Sequence, residues 1–125
     1  MTLERCRFFS QKYPENTLIA MDSMKVVGFI SYGNFRDESI QAGEIIALYV
    51  LKDYYGKGIA QKLMKEALST LDHFSEIYLW VLKENKRAIA FYQKMGFTFD
   101  GQEQILKLGK PVKELRMICS SNKNS

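Results

Sequence analysis

The sequence predicts a mixed α/β fold, with helices packed on a sheet that has a parallel strand pair at its centre and antiparallel hairpins on either side. Two apolar runs, 44–51 and 77–82, lack polar alternation, which is typical of strands buried on both faces. A stretch with helical spacing lies between them, and a strand–helix–strand unit implies parallel strands joined by a right-handed crossover. The 125 residues suit one domain, which we place at 1–119, followed by a disordered polar tail at 120–125.

The residues before the central unit predict a helix and a hairpin. Residues 2–12 have the pattern of a short helix that ends near Pro14. Two strands follow, at 18–21 and 26–32, and the Asp-Ser pair between them has the chemistry of a turn. A polar loop at 34–43, which has no clear period, leads into the central strand.

The central helix and the C-terminal half carry stronger signals. From 58 to 71, apolar residues recur at helical spacing along one face, and Lys, Gln and Glu fill the other. Asn85 is a good N-cap for a second helix, which Gly96 can close in the left-handed conformation. Strands at 97–105 and 112–119 then form an antiparallel pair around a Gly-Lys-Pro turn.

Composition argues against several classes of protein. The net charge is +4 and the basic residues are dispersed, so we expect no nucleic-acid partner. No apolar run approaches the ~20 residues of a membrane span, and the N-terminus has no apolar signal segment. Cys6 and Cys119 lie near opposite ends without metal-ligand spacing, which indicates two reduced thiols and no metal site. We therefore predict a cytoplasmic protein without a membrane partner.

The glycine loop after the central strand is the strongest functional signal. A glycine turn that opens a helix presents several backbone N–H groups to an anion, backed by the helix dipole. The Walker pattern is absent, and the dinucleotide fingerprint fits poorly because Gln61 stands at its third glycine and Lys52–Tyr55 intervene after the strand. The loop therefore predicts a phosphate-bearing ligand of another kind.

The loop sequence Tyr55-Gly56-Lys57-Gly58-Ile59-Ala60 resembles motif A of the GNAT superfamily of N-acetyltransferases. In that family the pattern Gln/Arg-x-x-Gly-x-Gly/Ala binds the pyrophosphate of acetyl-CoA. Gly58 and Ala60 match the two small positions, where a larger side chain would keep the pyrophosphate from the amides. Tyr55 stands where the family has Gln or Arg, so we expect weaker cofactor affinity but not loss of binding.

A second stretch, 85–97, resembles motif B of the same family, Asn-x-x-Ala-x-x-Phe-Tyr-x-x-x-Gly-Phe, and every fixed position is present. The resemblance covers about residues 18–119. It implies a GNAT-like acyl-CoA N-acyltransferase fold and acetyl-CoA as the acyl donor. It also implies direct acetyl transfer to a primary amine in a ternary complex.

The resemblance assigns roles to individual residues. Tyr92 is the expected general acid for the coenzyme A thiolate, with a packed aromatic as the alternative. Glu44 stands where some members carry a catalytic glutamate, and a solvated strand-end carboxylate explains it equally well. Lys57 is either a phosphate contact or a solvated lysine, and Asn85 is either a cofactor contact or only an N-cap.

The positions that the resemblance assigns to the cofactor lie at the end of the central strand, in the glycine loop and on the second helix. The backbone of the strand end is expected to pair with pantetheine and to hold the acetyl carbonyl. These positions are Leu48, Tyr49, Val50, Tyr55, Gly56, Lys57, Gly58, Ile59, Ala60, Asn85, Ala88, Phe91 and Tyr92.

One departure concerns the N-terminus. The family begins with a strand and one or two helices before the first hairpin, and this chain is expected to lack the first strand and first helix. Their absence predicts an unpaired sheet edge. The chain is then a natural short form, a truncated reading frame, or one whose sheet a partner chain completes, as in a homodimer. The acceptor is predicted to be a small-molecule or peptide amine. The alternative is a non-catalytic acyl-CoA binding module or a fragment of a larger enzyme.

Overall fold

The computed structural model describes residues 1–5, 16–37 and 39–120. Within these ranges the chain forms a seven-stranded sheet and two helices. The strands are β1 (Thr2–Arg5), β2 (Thr17–Asp22), β3 (Lys25–Asn34), β4 (Gly43–Val50), β5 (Glu76–Leu82), β6 (Thr98–Leu108) and β7 (Lys110–Ser120), and the helices are α1 (Ile59–Thr70) and α2 (Lys86–Lys94). One turn of 3₁₀ helix, Lys52–Tyr54, precedes the glycine loop.

The strand order confirms the predicted mixed α/β class. Across the sheet the strands run β1-β2-β3-β4-β5-β7-β6, and the neighbours β4 and β5 are parallel. The other pairs among the described strands are antiparallel. Helix α1 makes the crossover between β4 and β5, as the sequence predicts.

The parallel pair β4–β5 is short, and an opening follows where the two strands separate. β4 pairs with β5 over residues 43–45. Beyond this point β4 stays paired with β3 as far as Val50, while β5 stays paired with β7 as far as Leu82. The two central strands therefore separate toward their carboxyl ends, and the outward backbone groups of β4 face an opening instead of a neighbouring strand.

The core lies between the sheet and the helices. The apolar face of α1 is buried, with Leu63 and Met64 fully inaccessible to solvent. Phe97, which follows α2, and Met117 of β7 are also fully buried in the same cluster. A buried side chain of this size stabilises the fold by roughly 1.5–3 kcal/mol, so this packing holds the start of α1 and the end of β4 in one position.

The N-terminus corrects the sequence prediction. Residues Thr2–Arg5 form a strand and not the start of a helix, and they pair antiparallel with residues 18–21. One apolar residue among three polar ones is too short a pattern to distinguish a helix from a strand. Pairing with the edge of β2 decides for the strand, because it satisfies backbone N–H and C=O groups of β2. A strand therefore precedes the first hairpin, and the edge of β2 that we expected to be open is paired. The remainder of the predicted helix and Pro14 lie outside the described residues.

The other predicted elements are confirmed with small shifts at their ends. The hairpins β2–β3 and β6–β7 form as expected, and Gly109 (φ 81°) makes the second turn. β7 includes Ser120, and the rest of the predicted tail lies outside the described residues. In the part of the chain that the structure describes, no helix has both the length and the apolar content to cross a bilayer.

Candidate active site

A cavity of about 580 Å³ opens where β4 and β5 separate. Its walls are the carboxyl end of β4, the 3₁₀ turn, the glycine loop, the first turn of α1 and one face of α2. The lining residues are Leu48, Tyr49, Val50, Tyr54, Tyr55, Gly56, Gly58, Ile59, Ala60, Gln61, Asn85, Arg87, Ala88, Phe91, Tyr92, Lys94 and Met95. All the predicted cofactor positions except Lys57 are among them.

The glycine loop gives the cavity an anion-binding end. Gly56 and Gly58 have φ values of 78° and 80°, a conformation that side chains disfavour. Gly58 caps α1 without a side-chain hydrogen bond, and the first turn carries no acidic residue. Because the N–H of Lys62 is the first to reach back to Gly58 (3.0 Å), the N–H groups of residues 59–61 have no acceptor within the helix. These N–H groups and the helix dipole favour an anion at this point.

The carboxyl end of β4 forms the long wall. Leu48, Tyr49 and Val50 pair on one side with β3. On the other side the pairing with β5 has already ended at Ile45. Peptide groups of this wall are therefore available to an extended ligand that carries amides of its own.

Asn85 has a structural role that its sequence context predicts. Its side-chain oxygen accepts a hydrogen bond from the N–H of Ala88 (3.1 Å) and so caps α2. The same side chain lines the cavity. Since the cap uses the oxygen, the amide NH₂ is the group that Asn85 can offer to a ligand.

Tyr92 lies two turns further along α2, on the wall of the cavity. Its ring packs edge-on against Phe91 and Phe97, with ring centroids 5.8 and 6.2 Å apart. Burial raises the pKa of the phenol above its ordinary value of 10.0. The hydroxyl therefore stays protonated at neutral pH and can donate a proton within the cavity.

Glu44 lies at the opposite end of β4 and outside the cavity wall. The carboxylate is fully buried, so the expectation of a solvated strand-end group is wrong. Arg36 binds it through Nη2 (2.7 Å) and Nε (3.1 Å) and through its backbone N–H (3.3 Å). Folding places Arg36 there because the loop between β3 and β4 returns over the start of β4.

Lys57 is the predicted cofactor residue that the structure does not bring into the wall. Its ammonium lies 5.9 Å from the centre of the Tyr54 ring. The Tyr54 hydroxyl donates to Asp22 (2.7 Å), which ties the 3₁₀ turn to β2. Lys57 thus lies over Tyr54 and is not among the residues that line the cavity.

Five lining residues were not predicted: Tyr54, Gln61, Arg87, Lys94 and Met95. Arg87, Lys94 and Met95 occupy variable positions of motif B, so the motif carries no signal for them. Their position in the sequence does carry one, because each lies three or four positions from the predicted residue Phe91, a spacing that puts residues on the same helix face. Arg87 also stacks on Tyr55, with its guanidinium carbon 3.5 Å from the ring centre.

The chain is similar to known acetyltransferases in family, sequence and structure. Residues 2–97 match the model of the acetyltransferase (GNAT) family. The chain is 31% identical over 94 residues to N-alpha-acetyltransferase 30 of Schizosaccharomyces pombe, covering 73% of this chain and 63% of that protein. It is 35% identical over 97 residues to the probable spermine N(1)-acetyltransferase of Bacillus subtilis subsp. natto, covering 72% and 64%. The chain thus spans less than two thirds of these curated relatives.

Two solved structures share the fold. PH1933 from Pyrococcus horikoshii superposes with a TM-score of 0.75 at 31% identity, covering 90% of this chain and 69% of that one. A chain of the NatC complex bound to Gag peptide and CoA superposes with a TM-score of 0.73 at 28% identity, covering 91% and 76%.

Proposed function

This chain belongs to the acetyltransferase (GNAT) family, and from that premise we propose that it transfers the acetyl group of acetyl-CoA to a primary amine. The observation that carries the proposal is that one cavity combines an anion-binding end, an unpaired strand edge and a protonated phenol. The diphosphate of coenzyme A needs the anion-binding end, and its amide-bearing arm needs the unpaired strand edge. Its thiolate leaving group needs the protonated phenol.

The chain's own groups suit the donor. The diphosphate fits the N–H groups of residues 59–61, and the pantetheine amides fit the open edge of β4 at 48–50. The cavity volume of about 580 Å³ is in the range of small-molecule sites. The thioester then lies toward Tyr92, at the end of the cavity that α2 closes.

The proposed reaction needs no covalent enzyme intermediate. The amine nitrogen attacks the acetyl carbonyl carbon, and a backbone N–H of β4 stabilises the oxygen that becomes negative. As the carbon–sulfur bond breaks, the thiolate takes the proton of the Tyr92 hydroxyl. The phenolate then regains a proton through water from the nitrogen, which loses one as the amide forms. A phenol suits this step because it is still protonated at neutral pH and so carries the proton that the thiolate needs.

The amine must lose a proton before or during attack, since primary amines are mostly protonated near neutral pH. We propose Glu44 as the ultimate acceptor of that proton. Glu44 lies about 13 Å along the strand from Leu48 and is buried outside the cavity, so this role requires a chain of water molecules between the amine and the carboxylate. To accept the proton, Glu44 must give up part of its ion pair with Arg36.

The acceptor is proposed as a primary amine of a small molecule or a peptide. One relative is named for spermine and another for N-alpha-acetylation, so both chemistries occur among similar proteins. The loop between β3 and β4 borders the amino end of the central strand. Its Arg36 is bound to Glu44 and its Asp37 accepts hydrogen bonds from Ser39, so these charges are held in place.

Calorimetric titration with acetyl-CoA, with desulfo-CoA and ATP as comparison ligands, tests the donor site. We expect both coenzyme A ligands to bind and ATP not to bind. Acetyl transfer is then tested with spermine and with a short peptide that has a free N-terminus, by measuring the release of the coenzyme A thiol. If coenzyme A ligands bind and no amine is acetylated, the alternative of a non-catalytic acyl-CoA binding module is the better description. Absence of coenzyme A binding would overturn both.

A homodimer and a cytoplasmic location remain predictions. The dimer was expected because the edge of β2 would be open, and β1 now covers that edge. The outer edge of β1 is the corresponding surface in the structure. Light scattering of the purified chain decides the oligomeric state.

A further inference from the structure

We infer that Arg87 of α2, stacked on Tyr55, supplies the positive charge that the family's motif places at position 55 itself. The inference rests on the proposed function, because it concerns how the same cavity binds the phosphates of coenzyme A. Motif A calls for Gln or Arg at its first position, and Tyr55 offers neither a cation nor an amide. Among the residues that line the cavity, the cations are Arg87 and Lys94, and both lie on α2.

The geometry brings Arg87 to this place. The guanidinium carbon lies 3.5 Å from the centre of the Tyr55 ring, which is stacking distance. Both side chains line the cavity beside Gly56 and Gly58. Arg87 is in the first turn of α2 and Tyr55 is the first residue of the glycine loop, so the stack connects the two walls across the anion-binding end.

Stacking leaves the guanidinium free to bind an anion. The ring contacts the flat face of the guanidinium, while the N–H groups point outward in its plane. Among the ion pairs of the described residues, none engages Arg87. A planar cation with free N–H donors is well matched to two phosphate oxygens at once.

In this arrangement Tyr55 positions the side chain of Arg87. The residue is 44% exposed, which is more than a core aromatic would be. Its backbone N–H donates to the carbonyl of Lys52 (3.1 Å) and fixes the start of the loop. The ring therefore restricts where the long side chain of Arg87 can go, and this lowers the entropy lost when a phosphate is bound.

Arg87→Ala and Lys86→Ala form a matched pair for the test. Each removes one positive charge from the first turn of α2, and alanine favours the helix in both. Lys86 is exposed and does not line the cavity. We expect Arg87→Ala to weaken coenzyme A binding by about tenfold, which corresponds to about 1.4 kcal/mol, and Lys86→Ala to stay within twofold of the parent. Equal effects of the two changes would overturn the inference and leave the proposed function intact.

Dephospho-coenzyme A shows whether Arg87 binds the diphosphate or the ribose phosphate of coenzyme A. The ligand keeps the diphosphate and lacks the ribose phosphate. If Arg87 binds the diphosphate, the loss caused by Arg87→Ala is the same with both ligands. A loss that disappears with dephospho-coenzyme A would overturn the assignment to the diphosphate. If the parent chain binds neither ligand, the proposed function itself fails.

Changes at Tyr55 test the compensation directly. Tyr55→Phe keeps the ring and is expected to bind like the parent. Tyr55→Arg restores the residue type of the motif, so in that background Arg87→Ala should cost less than about threefold, because one guanidinium now replaces the other. An undiminished tenfold loss in the Tyr55→Arg background would show that the two residues act independently. Thermal melting of each variant controls for folding.

Discussion

The two ends of β4 are built from different chemistry. At the carboxyl end, the cavity is made of backbone groups, glycines and the start of a helix, together with the phenol of Tyr92. At the amino end, the buried charge of Glu44 is held by the side chain of Arg36. A site made of backbone groups tolerates changes of side chain around it, whereas an ion pair depends on both partners. The comparison predicts that the carboxyl end governs binding of the donor and the amino end governs stability.

The largest expected effect is that of a bulky residue at Gly58. Valine there must adopt a φ near +80° and also places its side chain among the N–H groups that face the anion. We expect Gly58→Val to reduce coenzyme A affinity by at least about a hundredfold, or about 2.7 kcal/mol, measured by calorimetry. Gly109→Val is the matched control, since Gly109 has a φ of 81°, open space around it and no place in the cavity. Retained affinity in Gly58→Val would contradict the assignment of the glycine loop.

The next effect concerns turnover. Tyr92→Phe keeps the packing against Phe97 and removes the hydroxyl, so kcat should fall by about 10²–10⁴-fold, the range for general acid catalysis. Coenzyme A affinity should stay within about twofold, because the phenol acts on the leaving group and not on the bound donor. Steady-state kinetics and calorimetry measure the two quantities. Tyr78→Phe, which changes a phenol outside the cavity, serves as the control. An unchanged kcat in Tyr92→Phe would remove Tyr92 as the acid.

Changes at the amino end of β4 should act first on stability. Arg36→Ala leaves the carboxylate of Glu44 buried without its cation, and we expect a loss of about 2–3 kcal/mol, below the usual cost for a fully buried pair because Arg36 is 63% exposed. Urea unfolding measures this loss. Glu44→Gln should cost less, since the amide oxygen can still accept from Arg36.

Glu44→Gln also tests whether the amino end of β4 takes part in catalysis or only stabilises the fold. If Glu44 takes the proton of the amine, the variant loses turnover at neutral pH and recovers part of it at high pH, where more of the amine is already neutral. If kcat per folded molecule is unchanged at every pH, Glu44 only stabilises the fold, and the base role is wrong.

The smallest effect is expected at alkaline pH. Burial raises the pKa of Tyr92 above 10.0, so the folded state holds this proton more tightly than the unfolded state. The corresponding stability is fully present below the unfolded pKa of about 10 and is lost as pH rises through the higher folded value. Unfolding curves between pH 9 and 11 should show a steeper decline for the parent than for Tyr92→Phe. Identical slopes would mean that burial does not shift this group.

The donor side of the molecule could be predicted because its signals are local in sequence. Positive-φ glycines, an N-cap and an apolar helix face each follow from a few neighbouring residues. The cofactor positions predicted between Leu48 and Ala60 and between Asn85 and Tyr92 were therefore placed on the correct elements, and all of these positions but Lys57 line the cavity. Lys57 is not among the lining residues, and its role as a phosphate contact stays a prediction.

The N-terminus was predicted incorrectly for a related reason. The residues Thr2–Arg5 are too few to distinguish a helix from a strand by their period, and the deciding factor is the unpaired edge of β2. That edge is a property of the assembled sheet. The pairing of Arg36 with Glu44 is of the same kind, since nothing in the spacing of the two residues indicates that both charges meet in a buried position.

The sequence by itself determined the fold class, the glycine loop, the helix that carries Tyr92 and the order in which these elements follow one another. The tertiary structure decided how the elements meet: that β4 and β5 separate after residues 43–45, that Arg87 reaches Tyr55 across the cavity, and that Glu44 is buried. The physical reason is one of range. Backbone conformation and helix periodicity depend on neighbours in the chain, whereas strand separation, stacking and ion pairing depend on groups that only the folded sheet brings together.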